Sequence, residues 1–108
     1  MTTRAIDVGD DDFDRTVHGA GTPVLVGFHA DWCGPCTWVE PLIEELAREH
    51  EGRLLVLKVD TDRAPLTADR FSVRSLPTLV VLDGDAEVGR SLGFEPEKVR
   101  ALAREVAT

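Results

Sequence analysis

The sequence predicts an α/β fold, a mixed sheet with helices packed against it, and three features carry that prediction. Apolar runs of strand length alternate along the chain with segments whose apolar residues recur at helical spacing. The last two strand-like runs are separated by Asp83-Gly84-Asp85, a hairpin turn, which adds antiparallel strands at one side of the sheet. The 108 residues suffice for one core but not two, and no repeat, low-complexity run or Pro/Gly/Ser-rich linker divides them. Residues 1–108 are therefore expected to form one domain.

Each element has its own reason. Ala5 to Val8 reads as a short strand. Asp10, Asp11 and Asp12 then place negative charge where a helix N-terminus favours it, ahead of Phe13 and Val17, and Gly19 and Gly21 stop that helix. Pro23 to Ala30 is mostly apolar and reads as a central strand covered on both faces. From Pro35 to His50, Val39, Leu42, Ile43, Leu46 and Ala47 form an apolar stripe, with Glu40, Glu44, Glu45 and Glu49 off it. That is a long amphipathic helix, and Pro41 inside it removes a backbone donor and predicts a kink. Leu54 to Val59 is a second buried strand and Pro65 to Phe71 a short helix. Thr78 to Leu82 and Glu87 to Leu92 are the hairpin strands. A last helix starts near Pro96 and carries Val99, Leu102, Ala103 and Val106 inward. The predicted order is β-α-β-α-β-α-β-β-α.

Composition narrows the function. Apolar residues make up 43% of the chain and charged residues 30%, and no apolar run nears the ~20 residues that span a bilayer. A soluble protein with no membrane partner is expected. Twelve Lys and Arg against twenty Asp and Glu leave a net charge of −8, which repels a phosphate backbone, so nucleic acid is not an expected partner. Met1 to Asp14 is acidic and holds no apolar block, so it reads as neither secretory signal nor transit peptide, and a cytoplasmic location is expected. Two cysteines are too few to staple a fold.

The chemistry concentrates in Trp32-Cys33-Gly34-Pro35-Cys36, between a buried strand and the start of a helix. A thiolate at Cys33 meets the unpaired amides and positive end of that helix, which lowers its pKa. Two intervening residues allow the sulfurs to close an intramolecular disulfide within the first turn. Cys36 lies further into the helix and is expected to be the more buried, to stay protonated longer and to act second. Gly34 leaves room for a second backbone, and Pro35 has no amide to lose. A structural zinc site needs about four ligands, and His18, His29 and His50 are scattered without pair spacing, so no metal is expected.

Trp32 to Cys36 resembles the active-site motif of the thioredoxin family, and it stands at the matching place in the element order. Pro41 resembles that family's helix proline, Lys58-Val59-Asp60-Thr61-Asp62 the end of its third strand, Pro77 before Thr78 its cis-proline and Gly93 its late active-site glycine, covering roughly residues 5 to 106. The resemblance implies a thioredoxin fold, a central mixed five-stranded sheet flanked by four helices. It also implies a cis Leu76-Pro77 bond with the Leu76 backbone beside the sulfurs, and Gly93 either as a turn or as a place where a client peptide comes close. Trp32 is expected to form a partner-facing apolar surface.

The implied activity is reduction of protein disulfides, with Cys33 attacking and Cys36 resolving. Gly-Pro between the cysteines resembles the reducing members. The implied partners are disulfide-containing client proteins and an NADPH-dependent thioredoxin reductase that supplies electrons, with no bound cofactor and a monomeric chain. The alternative reading is a binding module, in which the apolar rim of Trp32, Pro35, Leu76, Pro77, Gly93 and Phe94 holds a client with little turnover.

Departures from the family fall beside the sulfurs. Gly27 stands where the family usually carries a buried aspartate, either for close packing or to admit a water. His29 stands in place of the usual tryptophan, on the same strand face as Gly27. Two readings of it remain: a replacement for the missing acid, or a packing residue bonded to Asp62. Thr37 replaces a cation, which makes the thiolate less favoured, and Trp38 replaces a methionine. Lys58 keeps its charge although its family partner is the residue absent at Gly27.

Overall fold

The structure, a computed structural model, describes residues 5–108. Residues 1–4, which open the acidic stretch read above as free of a targeting signal, lie outside the described residues. The elements run β1 (Ile6–Asp7), α1 (Phe13–His18), β2 (Val24–His29), α2 (Cys36–Glu49), β3 (Leu55–Asp60), α3 (Pro65–Arg70), β4 (Thr78–Asp83), β5 (Ala86–Leu92) and α4 (Pro96–Val106). This is the order the sequence predicts.

The sheet order is β1-β3-β2-β4-β5. β3 is parallel to both β1 and β2, while β4 runs antiparallel to β2 and β5 antiparallel to β4. β2 is therefore central, as its unbroken apolar run requires. Alternation sends Leu25, Val56, Leu79 and Val81 to one face, where they meet Val39, Leu42, Ile43 and Leu46 of α2 and Val99 and Ala103 of α4. Val24, Val26, Phe28, Leu57, Val59 and Val80 go to the other face, against Phe13 and Val17 of α1. Phe71 closes that face with ring contacts to Phe13 and Phe28.

Boundaries shift by a residue or two where side chains outweigh pattern. β3 extends to Asp60, which lies opposite His29 in the parallel register. α2 begins at Cys36, with Pro35 as its N-cap residue, and continues unbroken through Pro41. α3 is held from outside: Asp10 accepts hydrogen bonds from the Thr67 amide and hydroxyl at 2.7 and 2.6 Å, and from the Leu66 amide at 3.2 Å. One of the three early aspartates thus caps a distant helix. The hairpin turns at Gly84, whose φ of +64° suits glycine, and the β4–β5 register shifts between Val81 and Leu82. No described helix is long and apolar enough to cross a membrane.

Candidate active site

β2 delivers the chain to a turn ahead of α2, and that turn brings the cysteines together. The Cys33 amide donates to the Ala30 carbonyl at 3.1 Å, and the Thr37 and Trp38 amides donate to Gly34 and Pro35 at 3.1 Å each. The Thr37 hydroxyl adds a second bond to Gly34 at 2.7 Å, so the polar residue after Cys36 fastens the first turn. Cys33 and Cys36 form a disulfide with their Cα atoms 5.4 Å apart. Both lie in a small cluster with Ala30, against which Leu76 packs.

The expected contrast in burial is absent: Cys33 is 6% exposed and Cys36 8%. Closing the disulfide draws both sulfurs into one cluster, so position in the chain no longer separates them.

The other residues read from the sequence lie on neighbouring segments, of which the one with Leu76 packs on the pair. The Leu76-Pro77 peptide is cis, and the Pro77 carbonyl accepts the Gly93 amide at 2.8 Å, which joins the loop before β4 to the end of β5. Gly93 has φ +77° and open space where a Cβ would stand, so backbone conformation, not crowding, calls for glycine. Trp32 is 70% exposed, and its Nε1 donates to Asp62 at 2.9 Å, which pins the indole beside the disulfide. Trp38 and Phe94, also exposed, are in ring contact at 6.3 Å across α2 and the loop before α4. That contact extends the apolar rim beyond the residues read from the sequence.

The face of β2 toward α2 differs from expectation. A Cβ at Gly27 would sit 2.6 Å from Ile43 Cδ1, so the choice between packing and water falls to packing: the isoleucine occupies the space. His29 does not bond Asp62, because that carboxylate is taken by Trp32 and the Asp62 amide turns back to Asp60. The His29 Nε2 is buried without a hydrogen-bond partner. His29 lines a cleft of about 390 Å³ with Asp31, Cys33, Cys36, Thr37 and Glu40.

Lys58 finds a different partner from the one the family pattern supplies. Its Nζ donates to Glu40 Oε1 at 2.9 Å, one helical turn beyond Cys36, and stands 4.0 Å from Asp7. The Glu40 hydrogen bond raises the Lys58 pKa above its ordinary value, against the opposing pull of burial. Sequence reading placed Glu40 only on the polar side of its helix. No group of three or more His, Cys, Asp or Glu able to hold a metal gathers among the described residues.

A Cys-x-x-Cys pair closed as a disulfide at the mouth of a helix is the redox centre of a thiol–disulfide oxidoreductase. The thioredoxin family model matches residues 4–105. The chain is 41% identical over 93 residues to Thioredoxin 1 of Nostoc sp., covering 86% of this chain and 87% of that one. A thioredoxin of Staphylococcus aureus is 42% identical over 93 residues, covering 86% and 88%. A solved structure of a thioredoxin from Malassezia sympodialis superposes with a TM-score of 0.89 at 24% identity, over 98% of this chain and 93% of that one, and shares the fold. The chain belongs to the thioredoxin family.

Proposed function

We propose that this oxidoreductase works as a reductant of protein disulfides, with Cys33 as attacking thiolate and Cys36 as resolving thiol. The observation that carries the reading is the Cys33–Cys36 disulfide at the start of α2, packed against Leu76 beside the cis-proline loop. Reduced Cys33 stands just before the N-terminus of α2, where the positive end of the helix dipole favours its anion. It attacks one sulfur of a client disulfide, the second client sulfur leaves as a thiol, and Cys33 is held in a mixed disulfide. Cys36 then attacks Cys33, releases the client sulfur that Cys33 had captured as the remaining thiol and closes the internal disulfide. Two electrons pass to the client.

Client binding falls to the exposed Trp32 and Phe94 and the half-buried Leu76 and Gly93, with buried Pro77 shaping the loop between them. Asp62 holds the Trp32 ring, and Gly34 and Pro35, both exposed, leave the turn open to a second chain. Lys58 acts one layer back, through Glu40. Re-reduction calls for an external dithiol donor, for which an NADPH-dependent thioredoxin reductase is the reading, in a reducing compartment such as the cytoplasm. The chain needs no bound cofactor for these steps and works as a monomer.

The test is acceleration of insulin reduction by dithiothreitol. Catalytic amounts should shorten the lag before the freed insulin chains precipitate, and Cys33→Ser should abolish the effect. A wild-type protein that binds insulin without shortening the lag would instead be a binding module on the same rim.

A further inference from the structure

Resolution of a mixed disulfide needs a thiolate at Cys36, so some group near that sulfur must take its proton. Cys36 lies in a buried cluster, where an unaided thiol ionises reluctantly. Of the side chains that line the cleft beside it, His29, Asp31 and Glu40 have the chemistry to accept a proton. Asp31 is exposed, and Glu40 is already engaged by Lys58 at 2.9 Å. His29 differs from both, because its Nε2 is buried and nothing donates to it or accepts from it. A buried imidazole nitrogen left empty is costly unless something uses it. Two residues earlier on the same strand face, Ile43 fills the space over Gly27, so no side chain from that position reaches the site.

The geometry points to His29 as the proton acceptor for Cys36 in the second half-reaction, an inference that rests on the exchange proposed above. The Cys36 S–H bond breaks and its proton passes to the His29 imidazole across the cleft that both residues line. The Cys36 sulfur then bonds to Cys33 Sγ as the Cys33–client S–S bond breaks. The client sulfur leaves with the bond's electron pair and is protonated from the imidazolium. Two thiolate-level electrons have moved from the protein to the client, and the proton is returned.

The charges that face His29 set the terms of that transfer. Asp60 of β3 lies opposite it in register, Asp31 follows it in the chain, Asp7 of β1 shares its second cleft, and Glu40 faces it from α2. Against these stand Lys58 and Arg63. Lys58 is turned to Glu40 and Arg63 lies 3.9 Å from Asp60, so each cation is matched to one of those carboxylates.

Reduced protein mixed rapidly with one equivalent of dithiobis(nitrobenzoate) separates the steps, since the first nitrothiobenzoate released reports attack and the second reports resolution. In wild type the second phase should accelerate between about pH 5 and 8, the interval in which histidine titrates, because neutral imidazole is the acceptor. His29→Gln, which keeps a hydrogen-bonding side chain but takes no proton, should slow that phase at least about tenfold at pH 7 and flatten its rise over the interval. The first phase should be unchanged, and His29→Phe should repeat the result without the amide. A second phase unaltered in both variants, or slowed only by Glu40→Gln, overturns the role given to His29 while leaving the exchange reading intact. Loss of the first phase in wild type overturns both.

Discussion

Lys58 of β3 donates to Glu40 of α2 at 2.9 Å, so the strand buried beside β2 is tied to the helix that carries Cys36. Lys58 is 15% exposed and Glu40 about half exposed, which puts the pair at the edge of the core. The Lys58 pKa is raised, chiefly by the hydrogen bond to Glu40. A lysine raised in the folded state adds stability that is complete below its unfolded value near 10.5 and fades as pH climbs through the higher folded value. Glu40→Gln should therefore cost about 1 kcal/mol or less at pH 7, and the cost should shrink above pH 10.5. Urea midpoints at neutral and strongly alkaline pH check both parts.

Gly27 and Ile43 share one volume. A methyl group at Gly27 would stand 2.6 Å from Ile43 Cδ1, so Gly27→Ala should destabilise by about 1 to 3 kcal/mol, the usual cost of overpacking. Ile43→Val removes the opposing methyl. The double variant should lose clearly less than the sum of the singles, and urea denaturation of the four proteins measures that coupling.

Arg90 fastens β5 to the loop after α3. Its guanidinium donates to Glu87 at 2.7 and 2.8 Å and to the Phe71 carbonyl at 2.8 Å. The Arg90 hydrogen bond holds the Glu87 carboxyl below its ordinary 4.5, against a smaller opposing effect of burial. A depressed carboxyl adds stability that is present above pH 4.5 and lost as pH falls through the lower folded value. Glu87→Gln should cost at most about 1 kcal/mol at pH 7 and should reduce the acid loss below pH 4.5. Thermal midpoints from pH 7 down to pH 3 test it.

In the reduced protein, limiting iodoacetamide should label Cys33 before Cys36. The difference cannot come from exposure, which the disulfide form makes nearly equal for the two. It comes from position: Cys33 precedes the first turn of α2, at the positive end of the helix dipole, whereas Cys36 is the first helical residue. Peptide mass spectrometry after a short reaction gives the ratio. Preferential label on Cys36 would exchange the roles of the two thiols.

The element order was legible because period and punctuation agreed along the chain. Apolar β2, the stripe from Val39 to Ala47 and the Asp-Gly-Asp turn each have one structural solution. The Cys33–Cys36 pair was legible for the same local reason, since three positions on one turn fix its geometry. Pairings between elements were not. Glu40 looked like any other glutamate on the polar side of α2, and only the docking of that helix over β3 brings it to Lys58. Trp38 and Phe94 meet across two elements, and Trp32 claims Asp62 in place of His29, for reasons of the same kind. Gly27 was ambiguous because its meaning lies in the shape of Ile43, which no spacing along the chain encodes.

The central claim is that Cys33 attacks and Cys36 resolves, and trapping the intermediate tests it most directly. Cys36→Ser protein, reduced and mixed with insulin, should accumulate a covalent adduct whose disulfide-linked peptides join Cys33 to an insulin cysteine, and dithiothreitol should release it. Cys33→Ser should form no such adduct under the same conditions. An adduct formed by Cys33→Ser through Cys36, with none from Cys36→Ser, would contradict the account.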